Sequence, residues 1–296
     1  MSSILTFDTL KDARAFLENV RFGRERFVFF RGEAQNYALS TPTLYREATL
    51  KLKKDIHNYE HDTYFLQNLF VDLLATHIVE KMYGEKDLQP SDYLKLDEAK
   101  HWEDYFCGSH TSASHLRNQI VCLLQHYGWK TNYLDLTKDI DVAIFFANYD
   151  FATSRVLEDG FAYVHYFDLE EGLKDGITKY PIYELKYIAN LFCDLYKIRE
   201  NRPMNQNGFS IKLLFKEGVD WLNAQKKTIR IRRSPTTTVH NRNYIYPLDS
   251  LYFYLKAQEL NYFFYMMCNI EEISEPLKSY IIAKGEDFTF NKDSIK

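Results

Sequence analysis

The sequence predicts an α+β domain with a helical insertion after its first core strand and a helical C-terminal extension. Three observations support this reading. Short β-branched or aromatic runs alternate with segments of helical period, the pattern of strands and helices sharing one core. The helical segments bunch between residues 44 and 125 and again in the tail. The 296 residues are 46% hydrophobic and 26% charged, enough apolar mass for a sizeable core under an ordinary solvated surface.

Asp8-Thr9 reads as a helix start, and Leu10, Ala13, Phe16, Leu17 and Val20 recur at helical spacing to about Arg21. A charged turn around Gly23 leads to Phe27–Phe30, a buried strand with Arg31-Gly32-Glu33 at its end. A guanidinium beside a residue without a Cβ can hold an anion while the backbone approaches a ligand closely. Ser40-Thr41-Pro42 interrupts before the helical region, where Tyr64-Phe65, Leu69-Phe70, Leu73-Leu74 and His77-Ile78 mark an apolar stripe. After a break at Leu88-Gln89-Pro90-Ser91, His115–Tyr127 forms another helix, closed by Gly128 in the left-handed region.

Asn132–Leu136 is a short strand before a helix capped by Asp139. In that helix Ile140, Ala143, Ile144 and Ala147 face one way, and Phe145 and Phe146 widen the buried side. Phe161–Phe167 is a strand after the Asp159-Gly160 turn. Tyr183–Ile198 reads as a helix, Gly208–Phe215 as a strand and Thr228–Arg232 as another. The tail is helical over Leu248–Ile273, until Glu275-Pro276.

Composition narrows the function. A net charge of −4 argues against non-specific coating of nucleic acid. Within the basic run Lys226–Arg233, Thr228, Arg230 and Arg232 share one strand face, a phosphate-binding stripe or a solvated edge strand. Tyr and Phe number 23 and 22, so the chain can build stiff apolar contacts and polar clefts lined by Tyr. Cys107, Cys122, Cys193 and Cys268 are scattered without metal spacing and read as buried free thiols. With no basic N-terminal region and no apolar run of membrane-spanning length, a cytoplasmic protein that does not contact membrane is expected. His57-Asn58-Tyr59-Glu60-His61 matches H-x-x-E-H, which places two imidazoles one helical turn apart for zinc. Its flanks are charged and no third ligand suggests itself, so no metal is expected.

An ordered series of motifs adds a family resemblance. It runs through Phe29-Phe30-Arg31-Gly32-Glu33, Thr41-Pro42-Thr43-Leu44-Tyr45-Arg46 and Leu124-Gln125-His126-Tyr127-Gly128. It continues with Thr131-Asn132-Tyr133-Leu134-Asp135-Leu136-Thr137 and Val142-Ala143-Ile144-Phe145-Phe146-Ala147, and ends with Asn201-Arg202 and Gln206-Asn207-Gly208-Phe209. This series resembles the FRG-domain family over most of residues 25 to 215. On that resemblance residues 1–215 are an FRG domain including a helical insertion over 44–125. Residues 216–296 are an α/β extension packed on the same domain.

The FRG family in turn resembles the ADP-ribosyltransferases, which implies a split β-sheet core and NAD as substrate. The implied roles put Arg31 on the nicotinamide ribose or a phosphate and the Gly32 backbone on the carboxamide. Thr137 and Gln206 would orient the ribose, with His126, Tyr127 and Asp135 contributing to the nucleotide site. The implied function is an NAD-dependent ADP-ribosyltransferase acting on protein or nucleic acid, an effector or toxin in bacterial conflict or phage defence. The alternative is a non-catalytic FRG domain that binds a nucleotide or a partner. Gln206 stands where a transferase needs a carboxylate to stabilise an oxocarbenium-like centre, and Glu33 and Asp135 are the nearby substitutes. Lys130, Asn132 and Leu136 also replace the Pro, Arg and Trp usual in the family's Pro-Thr-Arg-Leu-Leu-Asp-Trp-Thr segment.

Overall fold

The computed structural model describes residues 4–45, 63–86, 112–150, 153–170, 180–197, 202–213, 215–234, 245, 250–273 and 275–290. The architecture is α+β, around a mixed seven-stranded sheet. Strand β1 (Leu5–Phe7) precedes helix α1 (Leu10–Arg21), and β2 (Val28–Glu33) follows. Helices α2 (Thr63–Lys86) and α3 (Ser112–His126) come next among the described residues. Then come β3 (Tyr133–Thr137), α4 (Ile140–Asn148), the small hairpin β4 (Tyr149–Asp150) and β5 (Arg155–Val156), and β6 (Phe161–Asp168). Next are β7 (Ile182–Glu184), α5 (Leu185–Tyr196), the single turn α6 (Arg202–Asn205) and β8 (Gly208–Lys212). The chain continues through α7 (Phe215–Ala224), β9 (Lys226–Arg232), α8 (Ser250–Cys268), a 3₁₀ turn (Ile270–Glu272) and α9 (Glu275–Phe290).

The strand order is β1-β9-β6-β2-β3-β8-β7. β1 runs parallel to β9, and every other neighbouring pair is antiparallel. Three apolar layers cover the sheet. On one face Val28, Phe30, Val164 and Ile229 meet α1 and α4 through Ala13, Leu17, Ala143 and Ala147. On the other, Phe29, Leu136, Phe167 and Ile211 meet Val219 and Leu222 of α7. The largest core is a helical bundle in which α2, α3, α5, α8 and α9 pack together, reaching the sheet at Tyr133 and Tyr183.

Local signals hold. Thr9 caps α1, its hydroxyl accepting from Asp12 N–H. The Asp139 carboxylate accepts from Asp141 N–H at 2.8 Å and Val142 N–H at 3.1 Å at the start of α4. Gly128 has φ +102° where α3 ends.

Other expectations are corrected. Arg31, Gly32 and Glu33 are strand residues, so β2 runs three residues beyond Phe30. β9 is no edge strand, because β1 pairs along it. Arg230 and Arg232 contact Thr6 and Asp8 there, with guanidinium groups over Phe161. The tail helix ends before Glu275-Pro276 as expected, but a further helix starts there; in a first turn the missing N–H of Pro276 would have lacked a helical partner anyway. Cys122 is buried as expected, but Cys268 is exposed, and Cys107 lies outside the described residues. The H-x-x-E-H segment also lies outside them. Among the described residues no cluster could hold a metal, and no helix is long and apolar enough to cross a membrane.

Candidate functional site

The site begins with a missing rung. Phe27 carbonyl accepts from Leu169 N–H at 3.0 Å, so odd residues of β2 direct their backbone groups at β6. Phe30 and Gly32 therefore direct theirs at β3. On β3, Asn132 carbonyl accepts from Leu213 N–H at 2.9 Å, so even residues serve β8, while Asp135 and Thr137 turn towards β2. Phe30 opposite Thr137 is the one registered pair between the two strands. The next pair along, Gly32 with Asp135, is not formed. The sheet splits there.

Arg31 fills the split. Its Nη1 donates to the Asp135 carbonyl at 2.7 Å, taking the acceptor that Gly32 N–H would have used in a closed ladder. The N–H and C=O of Gly32 are left facing the gap. Gly32 has no room for a side chain on its other side. A Cβ would lie 1.7 Å from the Ala143 carbonyl oxygen and 2.7 Å from Ala147 N, because α4 rests directly on the strand.

The Arg31 guanidinium is held from behind. Its Nε donates to Glu33 Oε1 at 2.8 Å, and Glu33 Oε2 lies 3.0 Å from His165 Nε2. Burial alone would raise the Glu33 carboxyl. The His165 hydrogen bond and the Arg31 charge outweigh it and bring the carboxyl down to about 2. Burial lowers the pKa of His165 despite Glu33, which favours the neutral ring. An ionised Glu33 only accepts, so the Nε2 nitrogen carries the proton. Nδ1 then accepts from Thr228 Oγ1 at 2.8 Å. Thr228, His165, Glu33, Arg31 and the Asp135 carbonyl thus form one chain of contacts across three strands and the split.

A cavity of about 600 Å³ opens on this region. Arg31, Gly32, Glu33 and Tyr37 line one part, and Val142, Phe146, Tyr149 and Leu157 give an apolar wall. Asp135, Thr137, His126 and Gln206 complete it, with Arg233 at the margin. Arg233 is fixed by three carbonyls, those of Asp159 (2.9 Å), Ala34 (2.7 Å) and Ala147 (3.0 Å).

Six of the seven residues singled out from the sequence therefore converge: Arg31, Gly32, His126, Asp135, Thr137 and Gln206. Tyr127 does not. It is buried in the helical bundle beneath the Arg202 guanidinium, whose carbon is 5.1 Å from the ring centroid, because α3 ends there and turns it away. The polar groups of Thr137 and Gln206 are already engaged within the protein. Thr137 Oγ1 donates to the Gln206 carbonyl at 2.7 Å and accepts from Asp139 N–H at 3.0 Å. Gln206 Nε2 donates to the Ile245 carbonyl at 2.7 Å. Asp135 Oδ1 accepts from Ser210 Oγ at 2.8 Å and stays on the cavity wall. Glu33, placed at the strand's end by sequence, is 6% exposed. His165 and Tyr37 were not legible as site residues. For His165 the only available signal was a lone imidazole inside an apolar strand.

The α+β domain thus carries a cavity at the place where its sheet parts around Arg31. Residues 26–155, spanning β2 to β5 and both sides of the split, match the family model of the FRG domain. No curated protein and no solved structure matches the chain.

Proposed function

We propose that the split binds a nucleotide whose planar ring carries an amide, with NAD the candidate named by the family resemblance. The observation that carries this is the unpaired edge of Gly32. One N–H and one C=O, set side by side in a cleft, match the C=O and NH₂ of a carboxamide. The apolar wall of Val142 and Phe146 suits the ring, and Arg31 and Arg233 supply cations for phosphate or ribose oxygens.

Binding without cleavage is the better supported form. Breaking the nicotinamide–ribose bond needs an anion near the developing oxocarbenium centre. Gln206 is neutral and its amide is engaged, the Thr137 hydroxyl is engaged, and Glu33 is neutralised by Arg31. One observation favours the NAD-dependent transferase reading. The Asp135 carboxylate lines the same cavity, oriented by Ser210.

Calorimetry with NAD and with nicotinamide tests the proposal. NAD is expected to bind, and Arg31→Ala to weaken it by about tenfold or more, the loss expected of a charged hydrogen-bonding partner. No binding of either ligand refutes it. Label transfer from radiolabelled NAD to lysate, abolished by Asp135→Asn, would select the transferase form. Its absence alongside NAD binding selects the non-catalytic one.

A further inference from the structure

The helical bundle contains a second cavity that the cleft does not explain. It measures about 400 Å³ and lies beyond the end of α3, on the far side of Tyr127 and Gly128. Glu259 of α8 is 3% exposed at its centre, between two ammonium groups. Lys256 Nζ lies 3.0 Å from Oε2, and Lys284 Nζ of α9 lies 2.9 Å from Oε1. Burial would raise the Glu259 carboxyl, but Lys284 and Lys256 outweigh it and hold it below the usual carboxylate range. The ionised carboxylate therefore fixes both lysines at one wall.

The lysines also face aromatic rings. Lys256 Nζ is 4.0 Å from the Trp129 centroid and 5.9 Å from that of Tyr252, and Lys284 Nζ is 5.0 Å from that of Phe70. Lys130 also lines the cavity. A triad serving only to pack α8 and α9 on α2 would not need a void beside it. Lys256 keeps 43% of its side chain exposed, so the charged wall is reachable from solvent.

We propose that this cavity is a second ligand site for a small phosphorylated aromatic molecule of the mononucleotide class. The phosphate would meet Lys256, Lys284 and Lys130, and the base would stack on Trp129 and Tyr252. The site is independent of the reading given for the cleft, and its test separates the two.

The probe is adenosine 5′-monophosphate, with adenosine and inorganic phosphate as its halves, followed by calorimetry and by Trp129 fluorescence against a Trp129→Phe control. The monophosphate is expected to quench Trp129 and to bind about tenfold or more tighter than either half. Lys256→Gln should weaken it by about fivefold to tenfold, and Arg31→Ala should leave it unchanged. Glu259→Gln should tighten it, because the competing anion is gone while a hydrogen-bond acceptor stays for the lysines. Should that variant fail to fold, Lys256→Gln at the half-exposed position still decides. The proposal is overturned if none of the adenine, guanine, cytosine or uracil monophosphates binds by about 5 mM. It is equally overturned if adenosine alone binds as tightly, or if Arg31→Ala rather than Lys256→Gln removes the signal.

Discussion

Gly32→Ala tests the packing argument with little freedom to adjust. The added methyl would sit 1.7 Å from the Ala143 carbonyl oxygen, 2.8 Å from its carbonyl carbon and 2.7 Å from Ala147 N. All three are backbone atoms, so no side-chain rotation relieves the overlap. Ordinary contact needs about 3.3 Å, so α4 would have to withdraw by about 1.5 Å along most of its length. That movement would open the contacts of Ile140, Ala143, Ile144 and Ala147 with Phe30 and Val164, and would pull at the Asp139 cap. Overpacking costs about 1–3 kcal/mol where side chains can yield, and a helix that must shift as a body belongs at or above the top of that range. Two other glycines calibrate the result. At Gly84 in α2 nothing lies within 4 Å of a built Cβ, so Ala there should stabilise by about 0.5–1 kcal/mol through helix propensity. At Gly208 the nearest atoms are side-chain carbons of His126 at 3.2 Å and Leu185 at 3.3 Å, which can give way, so the cost should stay near about 1 kcal/mol. Urea unfolding of the three variants followed by circular dichroism should rank them Gly84, Gly208, Gly32 from most to least stable. A Gly32→Ala variant within about 1 kcal/mol of the parent would refute the claim that α4 rests on this strand.

Glu33→Gln should destabilise by about 3 kcal/mol near neutral pH, the equivalent of lowering the carboxyl from 4.5 to about 2. The folded pKa lies below the unfolded one, so this contribution is present above pH 4.5 and is lost as pH falls towards 2. Carboxyl ¹³C shifts of the parent should accordingly show Glu33 flat from pH 7 down to about 3, and titration near 4.5 would contradict the network. Gln206→Glu would convert the donor that meets the Ile245 carbonyl into an acceptor facing an acceptor. It should cost about 1–3 kcal/mol in thermal or urea unfolding, with no gain in NAD turnover, and a stable variant that transfers label would overturn the assignment of Gln206 as an internal strut.

What the sequence revealed was local chemistry. The Asp139 cap, the apolar face of α4 and the strand at 161–167 are each set by neighbours within a turn or two, so their residue patterns were sufficient. The failures share a different cause. Arg31 and Glu33 look like a strand end because charged residues rarely continue an apolar strand, yet besides pairing with each other, each hydrogen-bonds a partner remote in sequence. His165 is 132 positions from Glu33, and Asp135 is 104 from Arg31. Strands β1 and β7, three residues each, exist because β9 and β8 provide ladders for them, and so short a run has no readable period of its own. Arg233 was visible only as the last charge of a basic run. Its role depends on three carbonyls from separate segments. Thr137 and Gln206 line the cavity, but the family pattern did not reveal that their polar groups are already engaged.

The Arg31-Gly32 pair acquires two physical tasks before any ligand is considered. Gly32 lets α4 lie against the strand, and Arg31 supplies the donor that the Asp135 carbonyl would otherwise lack. Together they hold β2 and β3 apart at a cost, since an N–H and a C=O of Gly32 lose their ladder partners. A buried polar group left unsatisfied costs about 1–3 kcal/mol, so such a split persists only where the exposed edge can be met from a cavity. Lysine in place of Arg31 separates these tasks from plain charge. It keeps the cation, but it cannot offer one N–H to Glu33 and another to Asp135 in the planar fork that spans the gap. If the guanidinium acts chiefly as the substitute rung, Arg31→Lys should destabilise nearly as much as Arg31→Ala. If it acts chiefly as a cation for ligand, the lysine variant should keep both stability and binding.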